Sequence, residues 1–219
     1  KIRAATTVAR VRFDNRRATG VILNDGSELE ADHVVVCAGA IHSPVVLLRS
    51  GVDTPFVGSG LQDHPSVAFT LGLREHAHHD AARLPIGTAL HTYLGSDLMQ
   101  LLPMSNLGPG PEATGLGSLM AALMTPTGHA GSVGIDHTGT PVIDFALLED
   151  PHDVDGLVAA AKLAIDLLDT PAFDEITEQV YIDNQGTTVE TLSDSSSIRE
   201  WVLGHCGDYV HATSTCAMG

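Results

Sequence analysis

The residues of this chain best suited to chemistry fall in two places. The first is the run Val34 to Gly51, VVVCAGAIHSPVVLLRSG, where an apolar stretch meets a turn of small residues. Ala38, Gly39 and Ala40 would let backbone come close to a bulky group, as cofactor turns in α/β folds require. The second is the segment Tyr209 to Gly219, YVHATSTCAMG, where His211 sits among small residues. A histidine there suits either a structural role or proton transfer, because its unperturbed pKa is about 6.5.

Other constellations carry less. His76, His78 and His79, with Glu75 and Asp80, fit no standard metal spacing and read as an exposed polar loop. His205, Cys206, His211 and Cys216 lack paired C-x-x-C spacing, so no metal site is expected. Gly108-Pro-Gly110-Pro-Glu-Ala113 formally matches G-x-G-x-x-A, but its two prolines and the lack of a strand-to-helix junction argue against a phosphate loop. Gly58-Ser-Gly60 and Gly115-Leu-Gly117 lack the third small residue. No G-x-S-x-G elbow is present, which counts against a serine hydrolase.

Composition narrows the class. The chain has 219 residues, ample for one large domain or two small ones, and 43% of them are hydrophobic, which argues against disorder. With 11 Lys+Arg against 27 Asp+Glu, its formal charge of -16 makes nucleic acid or an anionic membrane a poor partner. No apolar run is long enough to span a bilayer, and KIRAATTVAR lacks a signal-peptide core. Cys37, Cys206 and Cys216 form no disulfide framework, fitting a reducing compartment and an expected cytoplasmic location. The first residue is not methionine and the last follows directly on a motif, so the chain is expected to be a fragment of a longer protein.

The elements that must position these residues follow from pattern. Residues 5–13 and 18–23 read as strands joined by a polar turn, and Asn24-Asp25-Gly26 as a tight hairpin turn. Val34, Val35 and Val36 show no polar alternation, so His33 to Cys37 is expected as a strand buried in a parallel sheet. Ser43 as N-cap, Pro44 as first residue and Gly51 as stop predict a short helix over 44–50. Strands are expected at 67–73 and 88–104, the latter interrupted near Gly95-Ser96-Asp97, with a glycine- and proline-rich loop at 106–117. Segments 119–124, 132–136 and 142–148 read as one small antiparallel set. Val154, Leu157, Val158, Ala161, Ala164, Ile165 and Leu168 recur at helical spacing, predicting a helix from Pro151 to Leu168 capped by Asp150. A second helix is expected from Ser195 to about Leu203, capped by Asp194 or a neighbouring serine, with an extended return at 207–211. The pattern is α/β pieces at both ends around a sheet-plus-helix insert, α+β overall.

Two ordered signatures sharpen this. The string GA-x-x-SP-V-V-L-L-x-SG followed by LQDHP at Leu61 to Pro65, and then HATSTCAMG from His211, resembles the glucose–methanol–choline (GMC) oxidoreductases, flavoenzymes that oxidise alcohols. The resemblance implies a partial FAD-binding, Rossmann-like domain at 1–66, a substrate-binding domain at 67–200 with an antiparallel sheet and helices, and a return to the FAD domain at 201–219. It places His211 on the family's catalytic base, and Thr215, Cys216, Met218 and Gly219 on its T-C-x-M-G. It places Val8, in the strand TTVARVRF, against the adenine, Ala38, Gly39 and Ala40 at the flavin turn, and Asp63 and His64 near the flavin. A base acting on the alcohol hydroxyl would assist hydride transfer to flavin N5, and oxygen or another acceptor would take up the electrons.

The chain also departs from the pattern. Asp53 replaces a glycine, the loop between Gly51 and Gly58 is short, and Gly60 stands where the family has asparagine. Ala212, Thr213 and Ser214 replace proline, valine and glycine beside His211. The second catalytic position and the pyrophosphate loop are expected outside this sequence, so the isolated chain is expected to be inactive. Two alternatives remain: a hydroxynitrile-lyase-type enzyme with redox-silent FAD on the same fold, and a non-catalytic binding module.

Overall fold

The computed structural model describes every residue except Asp53, Ala81, 108–114 and Gly219. The G-x-G-x-x-A match at 108–113 and the positions of Asp53 and Gly219 therefore lie outside the described residues. The chain divides into two compact units: residues 1–63, 129–146 and 211–219 form one, and 64–128 with 147–210 form the other.

In the first unit, β1 (Val8–Asp14), β2 (Arg17–Leu23) and β3 (Glu28–Glu30) make an antiparallel meander. The predicted turn at Asn24 to Gly26 joins β2 and β3, and the Asp25 carboxylate accepts the N–H and hydroxyl of Ser27 there. A helix, α1 (Gly39–Arg49), then leads to β4 (Ser59–Leu61). The chain returns as β9 (Gly131–Ile135) and β10 (Pro141–Asp144), which build a second antiparallel sheet in the order β10-β9-β4. Val45, Leu61 and Val133 form its small core, with Ala212 packed against them. Arg49, at the end of α1, donates twice to the Gly139 carbonyl in the β9–β10 turn.

The second unit is built on a five-stranded antiparallel sheet. Its strands are β5 (Ser66–Leu73), β6 (Leu90–Leu94), β7 (Asp97–Met104), β8 (Leu116–Leu123) and β11 (Thr177–Tyr181), in the order β11-β5-β8-β7-β6. Alternate residues of its strands, among them Phe69, Leu71, Leu101 and Leu119, are buried with the apolar face of α2 (Pro151–Leu168) in the main core. The sequence periodicity located α2 at its observed ends, and the Asp150 side chain caps it by accepting the N–H of His152 at 2.9 Å. Gly156 is also buried; a Cβ there would lie 2.9 Å from the Leu123 side chain, so its absence lets α2 sit close on β8. The short α3 (Pro171–Ile176) precedes β11. Last comes α4 (Ser195–His205), capped as expected by Asp194 in a capping box with Ser197.

Four expectations change. Residues 33–37 form no strand: no described strand pairs with them, and a strand exists only through its partners, so Val35 is 81% exposed rather than buried. Helix α1 begins five residues before Pro44, which lies inside it. Segments 119–124, 132–136 and 142–148 do not form one set, because β8 joins the five-stranded sheet while β9 and β10 pair with β4. For the same reason residues 129–146 belong to the first unit, and 201–210 stay with the second through α4 and the Ser66–Gly207 bridge. Every strand pair among the described residues is antiparallel.

Candidate active site

The first unit brings the two signature segments together. Residues 57–63 run antiparallel to 211–216 through isolated bridges at Val57–Cys216 and Gln62–Thr213. The Gly58 N–H donates to the Thr215 carbonyl at 2.7 Å, and the Thr213 N–H to the Gln62 carbonyl at 2.9 Å. Thr215 has no exposed surface, and its hydroxyl donates to the Ala40 carbonyl in the first turn of α1 at 2.7 Å. The small-residue turn and the His211 segment, separated by more than 160 residues in sequence, are thus one local structure.

His211 stands at the head of this segment and is exposed. Its backbone N–H donates to the Asp63 carboxylate at 2.9 Å, and Asp63 is 4% exposed. The backbone around it is strained: Val210, Ser214 and Thr215 all have positive φ, at 57°, 74° and 56°. Left-handed conformations cost L-residues about 1–2 kcal/mol each, so surrounding bonds must hold the segment in place.

The other expected cofactor residues are placed as follows. Val8 is half-buried in β1, opposite Leu23. Ala38 and Gly39 are exposed and Ala40 is half-buried, with Ser43 accepting the Ala38 N–H at 3.1 Å. Gly39 has φ +74° and nothing within 4 Å of where a Cβ would lie. The chain therefore presents open, side-chain-free backbone at the start of a helix, which suits the approach of a flat, bulky group such as a flavin. The described residues contain no glycine-rich phosphate loop of the dinucleotide-binding kind.

In the second unit His64 lies edge-on to Tyr209, ring centroids 6.1 Å apart. The Tyr209 hydroxyl donates to Gln100 Oε1, and Gln100 Nε2 lies 2.6 Å from His91 Nε2. Burial raises the Tyr209 hydroxyl above its ordinary pKa. Gln100 alternates with the core residues Met99 and Leu101, which puts it on the sheet face away from α2. Sequence reasoning missed Gln100, because a lone glutamine in an apolar strand carries no signal beyond its period-two phase.

No group of three His, Cys, Asp or Glu among the described residues is placed to hold a metal ion. His78 instead contacts the Leu73 carbonyl and His79 the Ser105 hydroxyl.

Two models of the GMC oxidoreductase family match residues 1–66 and 126–219. The chain belongs to the GMC oxidoreductase family, whose members are FAD-dependent oxidoreductases. It is 29% identical to an uncharacterised GMC-type oxidoreductase of Rhodococcus erythropolis, over 100% of this chain and 46% of that protein. It is 26% identical to the 5-(hydroxymethyl)furfural oxidase of a Methylovorus species, over 92% of this chain and 44% of the relative. The pyridoxine 4-oxidase of Mesorbium loti shares its fold, with TM-score 0.79, 20% identity and coverage of 98% of this chain and 47% of the other. A formate oxidase variant of Aspergillus oryzae aligns with TM-score 0.80 at 18% identity, covering 96% and 50%. The chain spans about half the length of the curated relatives it matches. No helix among the described residues is long and apolar enough to cross a membrane.

Proposed function

We propose that the protein to which this chain belongs oxidises a small-molecule alcohol, with His211 as general base. The observation that carries this reading is the seating of His211: an exposed residue whose backbone N–H is bonded to a buried carboxylate. FAD, when bound, would supply the hydride acceptor, flavin N5, with oxygen or another acceptor as the final electron acceptor. The imidazole of His211 accepts the hydroxyl proton of the alcohol, which makes the carbinol carbon a better hydride donor. A positioned base contributes about 10²–10⁴-fold to such a step. The cofactor contacts proposed in this chain are Val8, Ala38, Gly39, Ala40, Asp63 and His64. The open backbone at Gly39 supports the contacts at the helix start. The 26% identity to an oxidase named for 5-(hydroxymethyl)furfural supports an alcohol as substrate class.

The test is anaerobic flavin reduction by the FAD-loaded full-length protein, using 5-(hydroxymethyl)furfural, pyridoxine and benzyl alcohol as probe alcohols. His211→Ala is expected to slow flavin bleaching at least tenfold while FAD stays bound. Equal rates in the variant and the parent would remove His211 from the mechanism. A flavin that no alcohol bleaches, in a protein that releases aldehyde from a cyanohydrin, would replace oxidation by lyase chemistry. A full-length protein that binds no FAD would leave only a binding role.

A further inference from the structure

We propose that Asp63 is the positioning residue for His211, its carboxylate holding the backbone N–H from which the imidazole projects. The inference rests on the reading of His211 as the base, and it concerns how that base is held. Asp63 is 4% exposed, and its Oδ2 accepts the His211 N–H at 2.9 Å across 148 residues of sequence. A carboxylate oxygen makes a stronger bond to an N–H than a neutral carbonyl does.

Two further features show that this bond has a task. Val210, immediately before His211, has φ +57°, a conformation that a β-branched residue adopts only when held there. The bond also joins two of the first unit's three segments: it links Asp63, the last residue of the first, to His211, the first residue of the last. Asp63 is itself anchored from behind, since Leu61 is 1% exposed in the small core and Gln62 is bridged to Thr213. The carboxylate thus joins a rigid strand end to the residue that carries the base, and an error of 1 Å in the base's position would be felt in the rate.

The experiment compares Asp63→Ala, which removes the acceptor, with Asp63→Asn, which keeps one acceptor oxygen. Two readouts are taken on the full-length FAD-loaded protein. The first is hydrogen exchange at the residue 211 amide. The second is anaerobic flavin reduction by whichever alcohol of the probe panel reduces the parent fastest. Asp63→Ala is expected to lose at least tenfold protection at that amide and at least tenfold in reduction rate, while the KM for the alcohol changes less than threefold. Asp63→Asn, which keeps an acceptor oxygen, is expected to lose less than Asp63→Ala in both readouts. Unchanged protection or unchanged reduction in Asp63→Ala would overturn the proposal, as would an Asn variant as impaired as the Ala variant. If Asp63→Ala fails to fold, Asp63→Asn decides alone, a tenfold loss in either readout counting against the proposal. His211→Ala separates this inference from the reading beneath it. If that variant reduces flavin at the parent's rate, or no probe alcohol reduces the parent, the base assignment fails and amide exchange alone decides whether Asp63 holds residue 211.

Discussion

The hydroxyl of Thr215 donates to the carbonyl of Ala40 at 2.7 Å, and Pro44 explains why this bond is needed. In α1 the Ala40 carbonyl should accept the N–H of residue 44, four positions on, but proline has none to give. A proline inside a helix leaves an acceptor orphaned, and here that acceptor recruits a donor from the far end of the chain. The helix start beside the proposed flavin contacts and the segment bearing His211 are tied by the same defect.

The first prediction follows from that relationship. Thr215→Val keeps the branched shape and removes the donor, and is expected to destabilise the chain by about 1–3 kcal/mol in urea denaturation. Pro44→Ala restores an N–H for Ala40, so in that background the same substitution should cost about 1 kcal/mol less. Additive effects in the double variant would mean that the two residues do not share an acceptor.

Ser214 concerns the same segment. Its φ of +74° is one that glycine adopts freely, and Ser214 stands where the resembling motif carries glycine. Relief of the left-handed strain, set against the greater freedom of glycine in the unfolded chain, predicts a gain of about 0.5–1 kcal/mol for Ser214→Gly. A lower urea midpoint in the variant would show that the serine side chain is itself needed.

Asp153 is a structural carboxylate in the second unit. It is 3% exposed at the start of α2 and accepts from the Thr127 N–H, the Thr127 hydroxyl and the Gly128 N–H at 2.8, 3.0 and 2.9 Å. Asp153→Ala would remove the acceptor of three hydrogen bonds, the Thr127 hydroxyl keeping Asp150 Oδ2 at 3.0 Å, at an expected cost of about 2–4 kcal/mol. Asp153→Asn should cost less, because one oxygen acceptor remains. Guanidinium unfolding of the three proteins gives the order, and equal stability of all three would refute it.

Cys206 predicts a pH dependence. Burial, assisted by the nearby Asp208 charge and opposed by a backbone hydrogen bond from Ser66, pushes its thiol from the ordinary 9.0 up to about 11. The folded chain therefore keeps the proton where the unfolded chain releases it. Stability from this group is complete below about pH 9, falls as pH rises from 9 towards 11, and levels off above that. Cys206→Ser should flatten the loss measured between pH 8.5 and 11. Exposed Cys37 should also react with a thiol reagent at pH 8 well before Cys206 does. An unchanged alkaline slope in the variant would assign the loss to other groups.

What the sequence determined by itself was local. The ends of α2, the Asp194 cap of α4, the hairpin turn at Asn24 to Gly26 and the break at Gly95 all depend on residues within a turn or two of each other. Periodicity and capping chemistry report such short-range order directly. The two signature segments were also legible, because each is a contiguous run of residue types.

Tertiary structure decided the rest. Pro44 read locally as a helix start, yet α1 extends back to Gly39, its orphaned Ala40 carbonyl satisfied by Thr215, 175 residues away. Segments 119–124 and 132–136 look alike as sequence but enter different sheets, since strand character says nothing about which partner completes the ladder. Val34 to Cys37 shows the same limit from the other side: its composition suits a buried strand, and without a paired neighbour among the described residues it is not one. The bond from Asp63 to His211 joins residues 148 apart, and no local pattern encodes it. Only the folding of the first unit, which gathers three separate stretches of sequence, brings that carboxylate to that N–H.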